Sequence, residues 1–216
     1  MKVINLYGDS FVKTCRDLAT QINESGEVFD VVVGIQTGGG FVAREVYKTL
    51  KDKSKYATYV EVKIQRGGTR AKEVSHIKTI SRKLPEFILN FLRILEVEFL
   101  ELKAKFVKPM RHGDISFSAE VGQLLSEGNK NILLIDDCID TGYTIKMIKD
   151  YIEENFSNNK VKTAVVTIAH RHPIIEVDYK LFNRVLICTF YDHDAFEQIF
   201  RGSDYLEFQR ISVRGN

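Results

Sequence analysis

The chain has 216 residues, 44% of them hydrophobic and 28% charged, with 31 basic and 29 acidic side chains and a formal net charge of +2. That length suits one domain with a sizeable core and room for an insertion. The near-neutral balance argues against a global nucleic-acid or membrane-binding surface. The three cysteines, Cys15, Cys138 and Cys188, are odd in number and widely spaced, which argues against a disulfide framework or a zinc cluster. The opening MKVINLYGDSF does not read as a signal peptide, and no apolar run approaches membrane-spanning length. A reduced, cytoplasmic location is therefore expected.

In chain order, KVINL predicts a short strand and residues 10–23 a helix. VFDVVVGI (residues 28–35) is Val-rich without alternation, as a strand buried on both faces would be. Gly38, Gly39 and Gly40 interrupt it, and FVAREVYKTL (residues 41–50) follows with helical spacing. YATYVEVKIQ (residues 56–65) alternates and is rich in β-formers. RGGTRAKEVSH (residues 66–76) is a polar loop. Residues 84–106 predict a long helix with Pro85 suited to its first turn. Its apolar residues exceed one narrow stripe, so packing on two sides is expected, against the core and against a partner chain or its own subdomain.

SAEVGQLLSEG (residues 118–128) predicts a helix with a Ser cap and a Gly stop. NILLIDD (131–137), VKTAVVTIA (161–169) and RVLICTFY (184–191) predict three more buried strands, and residues 143–156 an amphipathic helix. Strands alternating with helices imply an α/β fold with a mostly parallel sheet flanked by helices.

Ligands of such sheets bind beyond the carboxyl ends of the strands. Two strand-to-helix loops fall there, at residues 36–40 and 136–144. The second belongs to ILLIDDCIDTGYT (residues 132–144), in which a buried strand runs into Asp136 and Asp137. Asp140, Thr141, Gly142, Tyr143 and Thr144 would wrap one phosphate: Gly142 permits close approach, the threonines offer hydroxyls, and the helix N-terminus favours an anion. The acid pair suits sugar hydroxyls or a hard cation such as Mg²⁺. A polyol beside a phosphate is a ribose 5-phosphate.

ILLIDDCIDTGYT resembles the signature of the type I phosphoribosyltransferases, which use 5-phosphoribosyl 1-pyrophosphate (PRPP); its form is most similar to the 6-oxopurine, hypoxanthine-guanine branch. The resemblance implies one domain over residues 1–216, with a helical insertion at about 77–112 and a small hood contributed by about 170–216. It assigns Asp136 and Asp137 to the ribose hydroxyls, residues 140–144 to the 5-phosphate, and Asp140 also to proton acceptance from the base. GIQTGGGFVA (residues 34–43) is similar to the family's pyrophosphate loop, with Thr37, Gly38, Gly39 and Gly40 as binding residues and often a non-proline cis peptide. Thr37 stands where a cation is usual. Arg66 and Arg70 fall in the position of the flexible catalytic loop, which would exclude water and neutralise the leaving group.

At the base pocket TIAHRHP lacks the family's Lys, leaving His170 or Arg171 as donors, with Asp192 further on. Asp136, Asp137 and Asp192 are the metal-ligand candidates, for Mg²⁺. Bland readings stand beside these: a capping acid at Asp140, a hairpin tip at residues 66–70, a polar strand end at residues 170–172. The implied function is an Mg²⁺-dependent transfer of 5-phosphoribosyl from PRPP to a nitrogen base, purine favoured, by a homodimer or higher homo-oligomer, with neither nucleic acid nor membrane as partner. A non-catalytic PRPP-binding regulator and a transferase with an unusual acceptor are the alternatives.

Overall fold

A computed structural model describes residues 1–6, 8–51, 58–66, 85–106 and 113–188. The elements are β1 (Lys2–Asn5), α1 (Gly8–Glu24), β2 (Val31–Ile35), α2 (Gly38–Lys51), β3 (Thr58–Arg66), α3 (Glu86–Phe106), β4 (Gly113–Ser116), α4 (Ala119–Ser126), β5 (Asn131–Ile139), α5 (Tyr143–Asn155), β6 (Lys160–Ile168), β7 (Tyr179–Asn183) and β8 (Val185–Cys188). Six strands form one sheet in the order β4-β3-β2-β5-β6-β7. All pairings in it are parallel except the antiparallel β3–β4 edge. The expected α/β fold, mostly parallel and flanked by helices, is the fold found.

The Val-rich runs lack alternation because both sheet faces are covered, and the two cores divide by strand period. On one face Val32, Leu133, Ile135, Ala164 and Val166 meet Phe11, Leu18 and Ile22 of α1 and Val42, Val46 and Leu50 of α2. On the other, Val31, Val33, Ile132, Leu134 and Val165 meet Val121 and Leu125 of α4 and Ile145, Ile148 and Ile152 of α5. Each such aliphatic side chain, fully buried, contributes roughly 1.5–3 kcal/mol of transfer free energy. Ser118 caps α4 by accepting from the Val121 amide, and Gly128 follows the helix at φ +67°, as its sequence predicts.

Three expectations are corrected. The glycines at 38–40 form the first turn of α2, and the turn itself is only Gln36 and Thr37, joined by a cis peptide. The strand beside β6 in the main sheet is β7, which the apolar pattern does not mark. The predicted strand over residues 184–191 begins instead as β8, which leaves the sheet and pairs in parallel with β1. YKLFN is an edge strand with Lys180 and Asn183 exposed, so it carries no unbroken apolar run.

Candidate active site

The central strands β2 and β5 are parallel neighbours, with Gly34 opposite Ile135. From β2 the chain crosses to β3 on one side, while β5 lies on the other. Their carboxyl ends therefore flank a topological switch point, where open α/β sheets place ligands. Each strand leads within a few residues into a helix N-terminus: β2 through Gln36 and Thr37 into α2, β5 through Asp140, Thr141 and Gly142 into α5. The first-turn amides of a helix lack intrahelical partners, so each of the two helix starts offers donors at this edge of the sheet.

The turn at residues 140–144 has the local structure its residues demand. Gly142 is the N-cap of α5 at φ +83° and offers no side chain to the first-turn amides. Asp140, the acid weighed as a cap, lies outside that position and is exposed. Thr141, Tyr143 and Thr144 are half-buried around it. Residues after β6 close the turn from outside: the Ile174 amide donates to the Thr141 carbonyl at 2.9 Å, and the Ala169 amide to the Ile139 carbonyl at 2.8 Å.

Asp136 and Asp137 lie within β5, half-buried, and the strand continues to Ile139. The Asp136 carboxylate accepts the Asp137 amide at 3.0 Å. Burial pushes the Asp137 carboxyl above the usual carboxylate range, and the nearby Asp140 charge adds to the shift against the hydrogen bonding around it. A side-chain hydrogen bond with Asp136 is among the interactions that oppose this rise, so the two carboxyl groups are near neighbours. Among the described residues, no group of three or more His, Cys, Asp or Glu side chains converges as a metal site. The donors present fit a Mg²⁺ held largely by substrate phosphates, with a carboxylate approached directly or through water.

The loop at residues 36–40 rests on a network that sequence reasoning missed. Glu61 of β3 accepts from Gln36 Nε2 at 2.8 Å, from Arg44 at 2.9 Å and from the Tyr59 hydroxyl at 2.5 Å. Tyr59 Oη also lies 2.9 Å from the Gly40 carbonyl oxygen. Burial and then the Glu61 carboxylate push the Tyr59 phenol upward, so it stays a donor. Desolvation would raise the Glu61 carboxyl, but the hydrogen bonds from Tyr59, Gln36 and Arg44 hold it below its ordinary value. The available signal was a carboxylate at every-other-residue spacing from Tyr59 in a β-forming run.

The other expected residues are distributed as follows. The Arg66 backbone ends β3, opposite Gly113; its side chain, Arg70 and Asp192 lie outside the described set. His170 is buried. Arg171 is occupied by Glu98 and Glu101 of α3.

An open parallel sheet with two helix N-termini at its switch point is the architecture of phosphate-handling α/β proteins. A protein-family model for the phosphoribosyl transferase domain matches residues 6–200, and the chain belongs to that family, an enzyme class that transfers phosphoribosyl groups. Among solved structures, a purine phosphoribosyltransferase from Pyrococcus horikoshii Ot3 aligns with TM-score 0.56 at 15% identity, over 89% of this chain and 95% of that one. A Helicobacter pylori xanthine-guanine-hypoxanthine phosphoribosyltransferase aligns with TM-score 0.57 at 12% identity, over 92% and 99%. A hypothetical protein from Neisseria gonorrhoeae with bound ppGpp gives 0.56 at 13%, over 96% and 98%. At such identities the likeness is one of fold. No curated protein sequence matches. Among the described residues, no helix is long and apolar enough to cross a membrane.

Proposed function

We propose that the protein transfers the 5-phosphoribosyl group of PRPP to a nitrogen base, a purine in the first instance, and releases pyrophosphate. The observation that carries this reading is the packing of the α2 N-terminus, at Gly39, on Asp136 of β5, the strand that leads within a few residues into the α5 N-terminus. One donor set suits the 5-phosphate at residues 140–144, the other the pyrophosphate at residues 37–40. Asp136 and Asp137 between them orient the ribose hydroxyls. The C1–oxygen bond to pyrophosphate breaks, its electron pair leaving with pyrophosphate, and a C1–nitrogen bond forms to the base. Asp140, exposed at the crevice, accepts the proton the base nitrogen loses. Mg²⁺, bound to the pyrophosphate, supplies charge neutralisation of the leaving group.

Arg66 and Arg70 are proposed to close over the leaving group, His170 to face the base, and Asp192 to complete the metal and base environment. The protein is proposed to work in the cytoplasm as a homo-oligomer. The test is nucleotide formation from Mg²⁺-PRPP and a panel of bases, read by mass spectrometry. One observation favours a second reading: Thr37 puts no cation beside the pyrophosphate amides, as a PRPP-binding regulator without catalysis would tolerate. PRPP binding without any nucleotide product selects that reading.

A further inference from the structure

The long helix α3 is joined to the site by four charged side chains. Glu101, largely buried, accepts the Arg171 backbone amide at 2.6 Å and the Arg184 guanidinium at 2.6 Å through one carboxylate oxygen. Glu98 pairs with Arg184 in a short contact and with Arg171 at 3.0 Å. The backbone fixes Arg184 where it can reach both carboxylates. It sits at φ +60°, its amide donates to the Ile168 carbonyl at 2.7 Å, and its guanidinium also reaches the Ala169 carbonyl at 2.9 Å.

These bonds fix the start of the segment 169–175, at the Ala169 carbonyl and at the amide and side chain of Arg171. The same segment crosses the phosphate turn. Besides the Ile174–Thr141 and Ala169–Ile139 hydrogen bonds, the Ile175 methyl stands 2.8 Å from where a Cβ on Gly142 would be. A continuous path of short contacts thus runs from α3, through residues 169–175, to the carbonyl of Thr141. Two carboxylates against two guanidinia make the cluster neutral, and removal of one member leaves a partner charge uncompensated.

We propose that α3 is a brace for the ligand site, in which Glu101 and Glu98 are positioning residues that hold residues 169–175 against the phosphate turn, while Arg171 is spent in the clamp and does not contact the acceptor. The functional half of this inference rests on the reading of residues 140–144 as a phosphate site.

The experiment titrates ribose 5-phosphate into wild type, E101Q, E98Q and the core control I152V, and follows amide exchange at Arg171 and Ile174 in each. E101Q is expected to raise Kd about tenfold, the size of a charge-assisted hydrogen bond reduced to neutral ones, and E98Q by a smaller factor. Both amides exchange faster in the two Glu variants, whereas I152V lowers Tm and leaves Kd unchanged. E98Q alters the more exposed partner and serves if E101Q does not fold. Unchanged exchange at both amides, or faster exchange with unchanged Kd, overturns the brace. If wild type fails to bind ribose 5-phosphate, the phosphate reading is lost, and exchange alone decides the clamp: faster supports it, unchanged refutes it.

Discussion

Gly39, in the first turn of α2, and Asp136, in β5, are in direct contact: a Cβ on Gly39 would lie 2.7 Å from both Asp136 Cα and Oδ1, and 2.8 Å from the Ile135 carbonyl oxygen. The glycine is required for space, since two of the obstructing atoms are backbone. The segment proposed to hold pyrophosphate is thereby locked in place beside the acids proposed to orient ribose. G39A forces the loops apart, at a cost of about 1–3 kcal/mol for overpacking. Denaturant unfolding is expected to show that loss. Phosphoribosyl transfer is expected to fall by more than tenfold, because misplacement by even about 1 Å degrades positioned chemistry severely.

Gly142 is constrained in two ways, by its φ of +83° and by the Ile175 methyl 2.8 Å from a prospective Cβ. An alanine in the left-handed region is strained by roughly 1–2 kcal/mol before any clash is counted. G142A should weaken binding of ribose 5-phosphate in a calorimetric titration while α5 keeps its circular-dichroism signal. Unaltered affinity would remove this turn from the phosphate site.

The Glu61 network makes a prediction about pH. Its folded carboxyl titrates below the unfolded value of about 4.3. A depressed carboxylate stabilises the fold above its unfolded value, and that contribution disappears as pH falls from there through the lower folded value. E61Q should cost about 1–3 kcal/mol at pH 7, since it leaves the Arg44 charge without its counter-ion and, with one oxygen kept toward Arg44 and Tyr59, turns an amide NH2 toward the Gln36 donor. The variant should also lose part of the acid-dependent decline below about pH 4 that wild type shows. Urea unfolding of both proteins across pH 3–7 (a range set by the reference value of about 4.3) checks the sign. A wild-type curve parallel to that of E61Q would contradict it.

How much of this was legible in the sequence depended on burial. The runs at β2, β5 and β6 were found because strands covered on both faces need unbroken apolar residues. The strand, turn and helix over residues 132–156 were legible because an apolar run, an acid pair and a Thr-Gly turn occur together within residues 132–144. β7 escaped because an edge strand carries Lys180 and Asn183 as readily as apolar residues. The Glu61 and Glu101 clusters escaped for another reason. Their partners lie far apart in the chain, Gln36 with Glu61 and Glu101 with Arg184, and nothing local marks such pairs.

The outer face of α3 yields a fourth prediction. Phe87, Phe91, Leu95 and Phe99 recur every four residues and are exposed, with Leu92 and Leu102 beside them. This stripe supports the proposed homo-oligomer, since exposed apolar patches of this kind mark association surfaces. F91E/F99E should shift the light-scattering mass of the protein toward monomer. A wild type already monomeric at assay concentration would refute the assignment.

The central claim is that the paired helix N-termini and the β5 acids serve phosphoribosyl transfer. Its most direct test is incubation with Mg²⁺-PRPP and hypoxanthine, guanine, xanthine, adenine, uracil or orotate, with product masses recorded for wild type and for D137N. The account predicts a nucleotide from at least one base, a purine first, and its loss or severe reduction in D137N. Absence of PRPP binding by wild type would contradict the account at its root.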